Sequence, residues 1–113
     1  MPQFLLLLHH PNPERFKKLP PDELQAAIAK YMAWTQKPFS VSSNRLDPDG
    51  GRVVRQNGGS PVVTDGPFGE TKEVCGGYFL IEAADYDDAV RLTLDHPHLQ
   101  HGGTIEVRKI WQP

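Results

Sequence analysis

The 113-residue chain has a single cysteine, Cys75, so no internal disulfide can form. Small folds stapled by disulfides are excluded, and a lone thiol fits a reducing compartment. A charge excess is missing too: 12 Lys and Arg face 14 Asp and Glu, a net charge of −2. General nucleic-acid binding needs a concentrated basic surface, so direct nucleic-acid binding is not expected. Long apolar runs are also absent. The stretch that invites such a reading, Phe4-Leu5-Leu6-Leu7-Leu8, stops at His9-His10-Pro11, whereas a spanning helix needs about 20 apolar residues. The residues before it, Met1-Pro2-Gln3, carry no basic charge of the kind that opens a secretory leader. The expectation is a buried first strand in a soluble, cytoplasmic protein with no membrane partner.

Glycine and proline, by contrast, are plentiful: 10 Gly and 11 Pro fall in clusters that punctuate the chain. No repeat or linker separates two cores, so residues 1–113 read as one domain. After the Phe4–Leu8 strand and a polar loop, Pro20-Pro21-Asp22-Glu23 opens a helix, with proline in its first turn and acids at the positive end of its dipole. No Ser, Thr or Asn stands at the cap position. Leu24, Ile28, Tyr31 and Trp34 lie on one helical face, and Pro38 ends the element. Phe39 and Val41 alternate with Ser40 and Ser42 as in a half-buried strand. Arg52–Gln56 and Pro61–Thr64 read as the arms of a hairpin around Asn57-Gly58-Gly59. Tyr78–Ala83 is a strong strand. Asp85 caps a second helix running to about Asp95, with Asp88 in a box-like position. Pro97 stops that helix, and Gly102-Gly103 releases a last strand from Thr104 to Trp111.

The order β-α-β-hairpin-β-α-β predicts an α+β, ferredoxin-like fold: four antiparallel strands with two helices on one face and an extra small hairpin. The first and third core strands should be central. Leu5–Leu8 and Tyr78–Ile81 are apolar at both parities, so both faces of these strands need cover. The helices cover one. A second copy of the chain is the simplest cover for the other, which predicts a homodimer.

Three blocks in order, Thr64-Asp65-Gly66-Pro67-Phe68-Gly69-Glu70-Thr71-Lys72-Glu73, Gly76-Gly77-Tyr78-Phe79 and His101-Gly102-Gly103-Thr104-Ile105-Glu106-Val107-Arg108, resemble the YCII-related family, and within it the branch with the Asp-Gly-Pro-Phe motif. The resemblance implies a dimeric, barrel-like body of two ferredoxin-like sheets. It implies either an enzyme acting through a His and an Asp in a cleft, with one branch eliminating chloride from a hydroxylated ring, or an accessory to extracytoplasmic-function sigma factors. The His–Asp dyad has no residue-by-residue counterpart. The first helix holds no His, an aromatic or aliphatic residue near Tyr31 stands in its place, and His96 occupies the expected carboxylate position, with Asp95 one residue earlier. The passage through Lys37-Pro38-Phe39 is also shorter than is usual in the family.

Several side chains are candidates for chemistry. Asp65, in a turn whose Gly66 frees the backbone and whose Pro67 fixes it beside Phe68, is either a partly desolvated general base or a turn organiser bonding nearby backbone N–H groups. Glu106 and Arg108 share one strand face, opposite Ile105 and Val107, and form either an anion-binding pair or a structural ion pair. His101 is the preferred acid or base among His96, His98 and His101. That trio has metal-like spacing, but it sits in a loop and no metal is expected. His9 and His10 read as a solvated strand end, and Cys75 as a small residue before Gly76. The glycine-rich stretches match no nucleotide-binding pattern, so no cofactor is expected. Catalysis is assigned to Asp65 and His101, and substrate binding to Phe68, Tyr78, Glu106 and Arg108. The expected activity is proton transfer, of lyase or isomerase type, on an aromatic or lactone-like molecule in a cleft at the dimer face. The alternative is a non-enzymatic interaction module.

Overall fold

A computed structural model describes residues 1–11, 18–66 and 73–113. The elements run β1 (Gln3–His10), α1 (Pro21–Trp34), β2 (Ser40–Arg45), β3 (Arg52–Asn57), β4 (Ser60–Asp65), β5 (Val74–Glu82), α2 (Tyr86–Thr93), α3 (Pro97–Gln100) and β6 (Thr104–Lys109). Four strands form an antiparallel sheet in the order β2-β5-β1-β6, and β3 pairs with β4 in a separate two-stranded sheet. The two doubly apolar strands, β1 and β5, are central. This mixed α+β arrangement is consistent with a ferredoxin-like fold.

Alternation along β1 and β5 sorts the sheet into two faces. Phe4, Leu6, Leu8, Phe79 and Ile81 are buried on the helix side, where Trp34 of α1 and Ala89 of α2 join them and Ile105 and Val107 pack alongside. Leu5, Leu7, Tyr78 and Leu80, paired across the opposite face, are only half-buried. The molecule is 19 Å thin, the depth of one sheet and one helix layer at about 10 Å each. Its radius of gyration is 15.9 Å, against about 13 Å for a compact domain of this length. The β3–β4 hairpin accounts for much of the excess, since every residue of β4 is exposed and Val54 and Val63 stand 65% and 61% exposed.

Helix ends follow local chemistry. α1 starts at Pro20 with no side-chain cap, and Leu24 N–H closes on the Pro20 carbonyl at 2.9 Å. At α2 the Asp85 carboxylate accepts from Asp88 N–H at 2.8 Å, and Asp88 accepts from Ala84 N–H at 2.9 Å. The Ala84 N–H and the Arg91 guanidinium hold the Asp88 carboxyl below its ordinary range. Several boundaries differ from the sequence expectation: β5 begins at Val74, so Gly76 and Gly77 lie within it, and α2 ends at Thr93. Pro97 opens the one-turn α3, because His96 Nδ1 accepts from His98 N–H at 3.0 Å and serves as its cap. The last strand ends at Lys109, leaving Trp111 82% exposed beyond it.

The end of α1 is tied to the end of α2 through Trp34, whose indole N–H donates to Asp95 Oδ1 at 3.1 Å, while Lys37 approaches Asp95 Oδ2 at 3.5 Å. His96 fills the space between, fully buried, with ring centroids 4.4 Å from Trp34 and 4.7 Å from Phe79. Its Nε2 has no hydrogen-bond partner among the described residues. Burial, reinforced by His98, lowers its pKa to about 4. Below pH 6.5 the unfolded chain therefore takes up a proton that the folded chain resists, and stability falls until about pH 4. The loss from this group is on the order of 3 kcal/mol. His96→Asn keeps an N-cap acceptor and removes the titration. Thermal melts should show the variant less stable than wild type at pH 7, because a packed ring is lost, yet with a flatter decline between pH 7 and pH 5. An equally steep decline would place the acid sensitivity elsewhere.

Candidate functional site

A cavity of about 150 Å³ lies on the helix side of the sheet, between α1 and the ends of β1, β2 and β5. Leu8, Ala27, Ile28 and Phe79 supply apolar wall, and His10, Tyr31 and Arg45 supply polar chemistry. Its volume matches that of a cavity able to hold one benzene-sized molecule. The apolar positions of α1 were legible as a helical face. Leu24 and Ile28, however, line this cavity rather than filling the core, and Ile28 remains 39% exposed.

Two glycines make the polar wall possible. The pairing of β1 with β5 slips by one residue, so that Leu8 faces Gly77 while His9 faces Cys75, and Gly76 is the extra residue. A Cβ on Gly76 would stand 2.6 Å from His10 Cδ2, so only glycine leaves room for that ring. Likewise a Cβ on Gly103 would stand 2.2 Å from His98 Nε2. The imidazoles of His10 and His98 meet edge to face with centroids 4.6 Å apart.

His98 is fully buried, and its tautomer follows from its partners. Nε2 lies 2.9 Å from the His9 carbonyl, which can only accept, so Nε2 carries the proton. Nδ1 then accepts from the Tyr31 hydroxyl at 2.9 Å. Burial lowers the His98 pKa, partly opposed by its hydrogen bonds to backbone at His9 and Thr104, which keeps the ring neutral. Burial also pushes the Tyr31 pKa up to about 12, so this hydroxyl is a hydrogen-bonding group and not a base. His10 is lowered to about 4, first by burial and then by His98 and Arg45. At neutral pH it is therefore an uncharged imidazole beside the cavity. His101 caps the C-terminal end of α3 and stacks on Tyr31 with centroids 6.2 Å apart and planes 13° from parallel.

The residues singled out from sequence fall in three places. His101 joins the Tyr31–His98 cluster. Tyr78, Glu106 and Arg108 lie on the opposite sheet face, where Tyr78 accepts from Asn44 Nδ2 at 2.8 Å and Glu106 is held by Arg108 at 3.1 Å and by His9 at 3.0 Å. Arg108 and His9 together draw the Glu106 carboxyl below its usual range. Asp65 ends β4 with its side chain 90% exposed, 3.4 Å from Arg52 and outside the cavity lining. Phe68, with the rest of the Pro67–Lys72 motif, lies outside the described residues. Cys75 Sγ donates to the Gly77 carbonyl at 3.5 Å. No group of three His, Cys, Asp or Glu among the described residues is placed to hold a metal ion.

Tyr31, His10, His98 and Arg45 were not chosen from sequence. His10 is not a solvated strand end, because Gly76 and His98 enclose it. The available signal was the trio His96, His98 and His101 beside a Gly-Gly pair: the buried ring that Gly103 admits is His98.

Two comparisons bear on kinship. A protein described as uncharacterized from Rhizobium meliloti (strain 1021) is 38% identical over 59 residues, covering 51% of this chain and 48% of that protein. The chain thus matches about half the length of that relative. The model of the YCII-related domain matches residues 3–112, nearly the whole sequence, and the chain belongs to the YCII-related family.

Proposed function

We propose that this protein acts on a small molecule in the helix-side cavity, catalysing proton transfer of lyase or isomerase type on an aromatic or lactone-like substrate. The supporting observation is the cavity itself: a ring-sized apolar space that ends on His10, Tyr31 and Arg45. An uncharged imidazole is the species able to accept a proton, and the nearby guanidinium stabilises negative charge left on the substrate. The Tyr31 proton is committed to His98, so its oxygen accepts from a ligand hydroxyl and orients it. His101, stacked against Tyr31, is the second group available for proton transfer at the edge of the cluster. On this reading the protein belongs to the Asp-Gly-Pro-Phe branch, and Asp65 acts at the end of β4 rather than at the cavity.

The catalytic reading is tested by solvent exchange. In D2O, wild-type protein should accelerate deuterium incorporation at the acidic C–H of a butenolide, or at the ring carbon of a hydroxyquinol that gains and loses a proton through the keto tautomer, followed by NMR. His10→Gln should lower that acceleration by about 100-fold or more, the usual contribution of a general base. Exchange undiminished in His10→Gln would take His10 out of the reaction.

The exposed β3–β4 hairpin favours a second reading, a non-enzymatic interaction module accessory to sigma-factor-dependent transcription control. A two-stranded hairpin is marginal by itself, and its exposed valines, Val54 and Val63, suit contact with another protein. Absence of exchange with every lactone and hydroxylated ring tried, together with unchanged binding of a sigma factor by His10→Gln, would favour this reading.

In either case the half-buried face of Leu5, Leu7, Tyr78 and Leu80 is proposed to meet its counterpart in a homodimer, because a strand apolar on both sides needs cover on both. Sedimentation at micromolar concentration should give twice the 12.7 kDa chain mass. A monodisperse monomer would contradict it. Leu80→Lys should shift the dimer toward monomer without melting the fold, since Leu80 lies off the helix-side core.

A further inference from the structure

We propose that the occupant of the cavity is a small organic monoanion, with a ring-sized apolar body between α1 and the β1–β5 pair and a carboxylate held by Arg45 and hydrogen-bonded by His10. This inference rests on the cavity being the functional site and adds the charge and class of its ligand.

Three observations lead there. First, the lining is chemically mixed. Ala27, Ile28, Leu8 and Phe79 offer no hydrogen bond from their side chains, so an apolar body is matched, and Arg45 and His10 stand in the same wall. Second, no carboxylate among the described residues forms an ion pair with Arg45, although Glu106, Asp65, Asp88 and Asp95 are each paired with a Lys or Arg. Third, the guanidinium acts electrostatically on two other polar groups of the wall. Its charge disfavours protonation of His10 and favours ionisation of Tyr31, which sets it close to both. An oxyanion placed there meets a guanidinium fork and an imidazole in an otherwise largely apolar wall.

The size is equally specific. A cavity of about 150 Å³ accommodates one six-membered ring, with the carboxylate extending toward Arg45 at the strand end.

Benzoate and benzamide are the probes, since they share a ring and differ in charge. Titrations followed by amide NMR, read at Arg45, Gly76 and Gly77, report binding in this cavity. Benzoate should bind wild-type protein about tenfold more tightly than benzamide, as expected for a charge-assisted contact. Arg45→Gln should remove that preference while leaving benzamide binding and the melting temperature unchanged. Equal binding of the two probes by wild type, or a preference that survives Arg45→Gln, would overturn the anion assignment while leaving the cavity as a neutral-ligand site. Absence of any shift at these amides with either probe would remove the cavity reading and this inference with it.

Discussion

A hydrogen-bonded chain from the Tyr31 hydroxyl through the His98 imidazole to the His9 carbonyl joins three parts of the molecule that are far apart in sequence. It links the last turn of α1, the one-turn α3 and the end of β1, with both links at 2.9 Å. A buried imidazole left with either nitrogen unpaired would cost the full desolvation of that group. Once both are satisfied, the ring is locked in one tautomer and the Tyr31 side chain is held at the cavity. Gly103 permits the arrangement by leaving out a side chain, and His96 supports it from below by capping α3.

The same strand, β1, therefore serves two environments. Its even-numbered residues build the helix-side core and then, at His10, the polar wall of the cavity. The odd-numbered ones present Leu5 and Leu7 to the other face and end on His9, which pairs with Glu106. The slip at Gly76 lies where the core gives way to the cavity, and it lets an imidazole occupy a position that an unbroken ladder with a side chain there would close.

The sheet was legible because hydrophobic periodicity is a local property: the double apolarity of Leu5–Leu8 and Tyr78–Ile81 placed both strands at its centre. The Asp85 cap and the Asn57-Gly58-Gly59 turn were legible for the same reason, since each needs only its own neighbours. The candidate site was less so. Histidines at positions 96, 98 and 101 suggested a loop cluster, but nothing in their spacing shows that His98 turns inward to Tyr31, 67 positions away. Nor does it show that His10 folds over a glycine in the neighbouring strand. Glu106 and Arg108 were placed on a common face by strand alternation, and they do pair there. That face, however, is not the one bearing the cavity, because which side of a sheet carries a pocket depends on how closely a helix packs, not on the strand pattern.

The most direct measurement is the ¹⁵N NMR of the His98 imidazole in histidine-labelled protein at pH 7 and pH 5. The account predicts a protonated Nε2 and an unprotonated, hydrogen-bond-accepting Nδ1 at pH 7, and less proton uptake at pH 5 than an ordinary imidazole shows, because burial lowers the proton affinity of the ring and Tyr31 occupies Nδ1. A mixture of tautomers, or titration of His98 near the ordinary histidine value of 6.5, would contradict it.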